Sequence, residues 1–366
     1  MSRQVASAIW GCSGIPSSFM QLWRLAMKKI LIAAATLSVV SGAALAQSSV
    51  TLYGVADIAI GKAKSAGDTK WGAQSNSIVT NGVSRIGLTD TEDLGGGMWV
   101  GFRYEGAVSL ANGAAGDSVG QWSREANVSL GSNSAGTVKL GRSLTPSYFG
   151  YAAWELTGAA NYSIVANTFG WGAFPYPRSV AQIDYKTPSF GGLSAEIAYV
   201  PKADSGLLEG GYGVANQTDR WDMNAIYAQG PISVAFNANK ASKTNDSQYG
   251  NKTNYSLGGQ YKFGTSFALA ASYNQANYAR SWRDGSNGDR VFGKRYGFTL
   301  GGSVFMGPFT VTLDLTRDTK NELYNKKYTN GLLEGKYALS KRTFLYAVYE
   351  RLDGDNNYGL GIRHNF

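Results

Sequence analysis

The chain has one cysteine, Cys12, and one histidine, His364, in 366 residues. A disulfide framework needs paired cysteines. Neither a zinc site nor a histidine-based acid–base site can be assembled from those two residues. Charge is scarce as well. Only 16% of residues are Asp, Glu, Lys or Arg, against about 25% in an average soluble domain. Hydrophobic residues reach 43%, so the low hydrophobicity that keeps a chain disordered is missing. No complete G-x-G-x-x-G, P-loop or H-E-x-x-H occurs, which removes nucleotide and zinc-protease chemistry. What the chain holds in excess is glycine, with 47 residues, and tyrosine, with 22. Glycine with tyrosine and few charges suits many strands joined by tight turns.

Residues 1–46 are of a different character. They hold Arg3, Arg24, Lys28 and Lys29 and no acidic residue. From Met27 the order is two lysines, an apolar run from Ile30 to Val40, and the small residues that end at Ala44-Leu45-Ala46. That is the three-part pattern of a secretory signal, with cleavage after Ala46. The apolar run is shorter than the roughly 20 residues a spanning helix needs. We therefore read 27–46 as a signal peptide, 1–26 as an extension upstream of the true start, and 47–366 as the mature domain. The mature chain has 320 residues, no cysteine, and 30 basic against 25 acidic side chains, a net charge of +5. Its basic residues are scattered singly, without the runs that track nucleic-acid phosphates. No later segment offers 18 continuous apolar residues, so no transmembrane helix follows.

Alternation dominates the mature chain. Val50, Leu52, Gly54, Ala56, Ile58 and Ile60 share one parity, and so do Phe309, Val311, Leu313 and Leu315. At the C-terminus Tyr358, Leu360, Ile362, His364 and Phe366 alternate with Gly359, Gly361, Arg363 and Asn365. A period of two puts successive side chains on opposite faces of a strand. Sixteen such strands are predicted, starting near residues 50, 84, 97, 122, 136, 178, 192, 219, 231, 251, 266, 293, 308, 328, 342 and 356. The gaps between them alternate in length. Seven are tight turns, at 93–96, 132–135, 188–191, 230, 264–265, 306–307 and 339–341. The others are mostly long, at 61–83, 107–121, 143–177, 201–218, 241–250, 278–292, 319–327 and 352–355.

Loop length sorted by parity, with an exported chain, describes an all-β, sixteen-stranded antiparallel transmembrane barrel with short turns at one end and longer loops at the other. Only a closed barrel satisfies strand backbone groups in hydrocarbon. Phe190, Phe263, Phe267, Phe305, Phe309, Tyr337, Phe344 and Phe366 gather beside the tight turns, where an interfacial aromatic girdle belongs. Sixteen strands enclose a water-filled channel, whereas eight leave room only for side chains. The 143–177 connection is 35 residues long and holds nine aromatic residues with Glu155 as its only acid. A surface this apolar is better buried than left in solvent, so this third loop is expected to fold into the lumen. By parity Arg85, Arg178, Asp184 and Lys186 point inward, as do Glu105, Glu125 and Glu196. Arg124 falls on the lipid parity, at the start of a strand where a bulge can re-aim it.

Several segments carry a family resemblance. They are Ser-Ser-Val-Thr-Leu-Tyr-Gly at 48–54, Ser-Arg-Ile-Gly-Leu-Thr-Asp-Thr-Glu-Asp-Leu-Gly-Gly-Gly at 84–97 and Val-Lys-Leu-Gly-Arg at 138–142. Asp-Tyr-Lys-Thr-Pro-Ser-Phe-Gly-Gly-Leu at 184–193, Leu-Ser-Lys-Arg-Thr at 339–343 and the terminal Gly-Ile-Arg-His-Asn-Phe join them. Together they resemble the trimeric porins of Gram-negative outer membranes, and most closely the general porins of beta-proteobacteria. The resemblance spans the mature chain. It implies a homotrimer of barrels embedded in outer-membrane lipid and lipopolysaccharide, with no cofactor. Ions and small hydrophilic solutes would pass through each lumen. It further implies that Arg85, Arg124 and Arg178, with Lys186 beyond them, form a basic constriction facing the third loop. Glu155 is the one acid available opposite, Glu125 is available to neutralise Arg124, and the 107–121 loop reaches a neighbour. Phe366 matches the terminal aromatic read during assembly. The expectation is a passive channel with anion preference. A structural or adhesive barrel is the alternative, although eight strands would serve it. A barrel enzyme finds no general base, since His364 falls on the lipid face.

Overall fold

The computed structural model describes residues 50–116, 120–174, 176–201, 208–209, 214–215, 219–241, 252–284 and 290–366. The segments 1–26 and 27–46, Cys12 and the cleavage point after Ala46 lie outside the described residues. So do most of the 201–218 and 241–250 connections and the centre of 278–292.

The alternating segments form β1 (Thr51–Ala63), β2 (Arg85–Gly95), β3 (Met98–Ala107), β4 (Glu125–Ser132), β5 (Gly136–Leu144), β6 (Arg178–Lys186), β7 (Leu193–Val200) and β8 (Arg220–Gln229). The second half adds β9 (Ile232–Ala241), β10 (Thr253–Phe263), β11 (Phe267–Asp284), β12 (Arg290–Met306), β13 (Phe309–Asn321), β14 (Thr329–Ala338), β15 (Thr343–Leu352) and β16 (Asp355–Asn365). Each pairs antiparallel with the next. A short extra strand, Gly72–Gln74, lies along β1. The sheet closes where β1 meets β16, from Val55 opposite Asn365 to Ala63 opposite Asn357. On its other side β1 pairs Thr51–Val55 with Thr89–Arg85 of β2. Closure leaves no open edge for the bilayer to strip of water.

Two of the tight turns are two-residue Gly-Pro links. Gly230 and Gly307 stand at φ +59° and +61°, a left-handed backbone that glycine adopts without steric cost. Proline follows where no ladder donor is required.

The polarity of the barrel is inverted relative to a soluble domain. Leu52, Leu140, Leu257, Leu300, Leu313 and Leu360 are all exposed, Leu300 by 65%. Asn127, Asn237, Asn239, Asn274, Thr312 and Asn357 are buried on the opposite face. An outward apolar band of this extent is an aggregation hazard in water and a requirement in lipid. Aromatic pairs mark the turn end: Phe263 and Phe267 stack at 4.3 Å, and Phe309 meets Tyr337 at 4.5 Å. Phe344 departs from that girdle. It shares parity with buried Tyr346 and Val348, packs against the inner cluster and carries Lys336 Nζ 5.7 Å above its ring.

The third loop has regular structure of its own, α1 (Pro146–Ala152) and α2 (Ile164–Phe169). Thr145 caps α1 through Tyr148 N at 3.3 Å, with Pro146 in the first turn, where its missing N–H costs nothing. The loop is held by donors aimed at inward-facing carboxylates. Ser147 N and Oγ donate to Asp222 Oδ1 at 2.8 and 2.7 Å, Tyr162 OH to Glu334 Oε1 at 2.5 Å, and Asn167 Nδ2 to Glu350 Oε1 at 2.7 Å. Lys336 Nζ donates to Thr157 O at 3.0 Å. Each such hydrogen bond contributes about 0.5–1.5 kcal/mol net, enough for several of them together to fix a loop.

The chain end locks the seam. Gly54 N donates to Phe366 O and Phe366 N to Gly54 O, both at 3.0 Å. A Cβ on Gly54 would lie 2.3 Å from Phe366 Cζ and 2.6 Å from Arg85 O, so no side chain fits beneath the terminal ring. Gly54→Ala is expected to destabilise the barrel by about 1–3 kcal/mol. Gly335→Ala, where an added Cβ meets nothing within 4 Å, refolds normally. The check is the temperature at which the folded, faster-migrating gel band is lost.

Candidate pore-lining site

Arginines converge near the long-loop end of one wall. Arg85 opens β2 and Arg178 opens β6, each at the strand end beside a long connection. Arg124 precedes β4. Its N–H donates to Glu105 O at 3.0 Å, which ends the ladder, and strict alternation stops there. Its guanidinium turns inward to Glu105 Oε1, with Nε at 2.6 Å. Arg85 Nε stands 3.1 Å from Glu105 Oε2, and Tyr53 OH donates to the same oxygen at 3.0 Å. One buried carboxylate therefore serves two guanidinium groups. Glu125 takes no part in this pairing. Its oxygens accept from Asn127 Nδ2 at 2.8 Å and Leu144 N at 3.3 Å, so the neutralising role expected of it beside Arg124 belongs to Glu105.

Two further arginines join this cluster. Arg142 shares the parity of lipid-facing Val138 and Leu140, yet it lines the same cavity as Arg85, Arg124 and Arg178. The cause is a bulge between β5 and β6, where the register shifts between Gly141 and Ser143. Gly141 sits at φ +123° and Ala181 at φ +47°. Val180 and Ala181 of β6 thus stand opposite Arg142 alone, and a bulge of this kind disrupts the ladder and bends the sheet locally. Arg363 of β16 donates from Nη1 to Asn81 Oδ1 at 2.8 Å and from Nε to Asn365 Oδ1 at 3.1 Å. Its lumen parity was visible in the terminal alternation. The Gly141 pair was not, because a bulge follows from register rather than from local pattern.

The connection after β1 supplies another part of the lining, through Asn76 to Val83. Asp57 tethers it by accepting from Gly82 N at 2.7 Å. The third loop contributes Tyr148, Asn161, Asn167, Thr168 and Trp171. The cavity they enclose measures about 560 Å³, and its lining includes five arginines and no Asp or Glu. Among the described residues, Arg178 and Arg363 have no carboxylate within 4.0 Å.

The remaining candidates lie elsewhere. Lys186 stands at the turn end of β6, eight residues beyond Arg178, roughly 26 Å along a strand. Its Nζ lies 5.9 Å from the centre of the Phe149 ring, and Lys139 Nζ lies 5.4 Å from the same ring. Asp184 and Glu196 flank Lys139 at 3.4 and 3.7 Å. Glu155 does not face the arginines. Its carboxylate is 5% exposed and accepts from Thr157 N, Thr157 Oγ1, Ala159 N and Ser163 Oγ at 2.7–2.9 Å. Burial raises its pKa above the ordinary carboxylate value, against the opposing pull of the Thr157, Ala159 and Ser163 bonds. It braces the loop from within.

The chain resembles known proteins in sequence and in fold. The chain is 32% identical to outer membrane porin protein 32 of Delftia acidovorans, over 92% of this chain and 93% of that one. It is 30% identical to an outer membrane porin protein of Bordetella pertussis, over 93% of this chain and all of that one. Its fold superposes on an anion-selective porin from Comamonas acidovorans with a TM-score of 0.65 and 25% identity, over 87% of this chain and 100% of that one. The model of the Gram-negative porin family matches residues 33–357, so this chain belongs to that family and forms a diffusion channel of the outer membrane.

Proposed function

We propose that the pore selects for anions, and that Arg85, Arg124 and Arg178, together with Arg142 and Arg363, set that preference. The observation that carries this reading is the composition of the cavity wall: five guanidinium groups and no carboxylate on its surface. The third loop, held to the inner face by Asp222, Glu334 and Glu350, narrows the passage against this wall. Its side of the cavity offers amide, hydroxyl and aromatic groups, so no opposing negative charge offsets the arginines. A charge ring governs passage only where the pore is narrow, and transit requires attraction weak enough for release. The similar Comamonas protein is itself described as anion-selective. Lys139 and Lys186, below the narrow part, extend the favourable path toward the periplasmic turns.

The chain enters the membrane after loss of residues 27–46, with Phe366 as the feature read during insertion. In the bilayer it assembles as a homotrimer, its outer rim against lipid and lipopolysaccharide. The resemblance of the whole mature chain to trimeric porins supports this assembly, and the exposed apolar band fits the contact with lipid. The transported species are ions and small hydrophilic solutes, moving down their gradients without chemical change.

One guanidinium about 7 Å from a permeating ion, in a medium of water-like dielectric, changes its energy by about 0.6 kcal/mol, a factor of about three. Because the same charge attracts chloride and repels potassium, Arg178→Gln is expected to lower the chloride-to-potassium permeability ratio about sevenfold, read as the zero-current potential across a planar bilayer under a KCl gradient. The preference itself should fade between about 0.1 M and 1 M salt, as the screening length shrinks from about 10 Å to 3 Å. A wild-type channel that favours potassium at low salt would refute the reading.

A further inference from the structure

Packing does not account for every aromatic ring of the third loop. Tyr151, Trp154, Tyr162 and Phe169 are buried, none more than 2% exposed. Tyr148 and Trp171 are only partly covered, and both line the arginine cavity. Their rings stand 5.4 Å apart, inclined at 40°. Trp171 is held edge-on by Tyr151 at 5.4 Å, and its backbone pairs with Phe174, so the indole is fixed in place. Tyr148 lies within electrostatic reach of both Arg85 and Arg178. Arg178 Nε is enclosed and has no hydrogen-bond acceptor. A buried donor without a partner is costly and is satisfied by a ligand that brings an acceptor.

A chloride ion uses only the guanidinium groups of this arrangement. An anion with a planar apolar body can use both halves, placing its charge on the arginine and its ring against the indole and phenol. We propose that Arg178, Tyr148 and Trp171 form a transit subsite for aromatic carboxylates. The carboxylate pairs with Arg178 and the ring lies against the Trp171–Tyr148 edge. This deepens the anion-channel reading and rests on it. The cavity suits the role, since about 560 Å³ accommodates a single aromatic ring with its hydration. The loop's other side chains on this surface, such as Asn161 and Thr168, carry no charge to repel the ligand. Two ring contacts give a residence longer than that of an inorganic anion while leaving the complex weak enough to dissociate.

Benzoate and acetate carry the same charge, so the arginines contribute equally to both and the difference between them reads the rings. A ring contact of this kind is worth about a three- to tenfold change in affinity. The experiment records chloride current through the full mature chain in a planar bilayer while potassium benzoate, acetate or cyclohexanecarboxylate is added. Benzoate is expected to halve the current at a concentration about three- to tenfold below acetate, and below cyclohexanecarboxylate, which matches its size but lacks a π face. Trp171→Ala should bring benzoate to within about twofold of acetate, and Trp171→Leu serves the same purpose if the alanine variant does not refold. Equal block by benzoate and acetate would overturn the proposal. So would equal block by benzoate and cyclohexanecarboxylate, or a benzoate preference that survives loss of the indole. A current carried by potassium before any organic anion is added would overturn the anion reading and this subsite with it, and is recognisable at that earlier step.

Discussion

Backbone hydrogen bonding in a medium without water is the constraint on which the rest of this structure depends. Every strand N–H and C=O in the bilayer must find a partner within the sheet. The answer is closure, and the seam between β1 and β16 is where it is achieved. The terminal residue completes it by exchanging two backbone bonds with Gly54. Once the sheet is closed, the alternation of side chains has only one stable orientation, with Leu and Val toward lipid and Asn, Thr and charges toward water. The lumen, its charges and its selectivity all follow from that division.

Within the lumen the charges are not spread evenly. Arginines crowd the wall made by β2, β4, β5, β6 and β16, with Glu105 buried beneath two of them. A further set of buried carboxyl groups lies where the loop attaches, on β8, β13, β14 and β15, as Asp222, Asp314, Glu334 and Glu350. Ser147, Tyr162 and Asn167 each donate to one of these groups, and Leu156 approaches Gly301 beside Asp314. The same contacts that hold the loop also cover these carboxyl groups. The cavity wall therefore carries five arginines, two of them paired with buried Glu105, and faces a loop surface without Asp or Glu. On the proposed anion selectivity, the loop acts electrostatically as well as sterically.

Much of this architecture was legible because period two and loop parity are direct consequences of the pleat. The sixteen strand starts, the tight turns and the inward placement of Arg85 follow from alternation alone; Arg178 lies beyond the irregularity at Val180 and Ala181, where the alternation of its strand breaks. What the sequence concealed are the places where alternation breaks. Arg124 sits one residue outside its strand. Arg142 stands opposite a bulge at Val180 and Ala181 on the neighbouring strand, about 40 residues away in sequence. Glu155 looked like the loop's contribution to the pore because it is the only acid there. Its actual neighbours, Thr157, Ala159 and Ser163, supply enough donors to hold it inside. Phe344 reads as a girdle residue by position along the strand, and its parity with Tyr346 turns it inward. In each case a tertiary partner decided the orientation. The covering of the buried carboxyl groups by the loop left no pattern in the sequence at all.

The central claim is that the loop keeps the buried carboxyl groups of β8, β13, β14 and β15 from the pore while the arginines stay open. The most direct test replaces the loop segment between α1 and α2 with a short Gly-Ser link and measures the zero-current potential at about 0.1 M salt. The variant must still migrate as a folded, heat-modifiable barrel. With Glu334 and Asp314 opened to water by loss of Tyr162 and Leu156, conductance should rise and the chloride preference should fall toward, or past, neutrality. A wider channel with undiminished chloride preference would contradict the account, and would assign selectivity to the arginines alone.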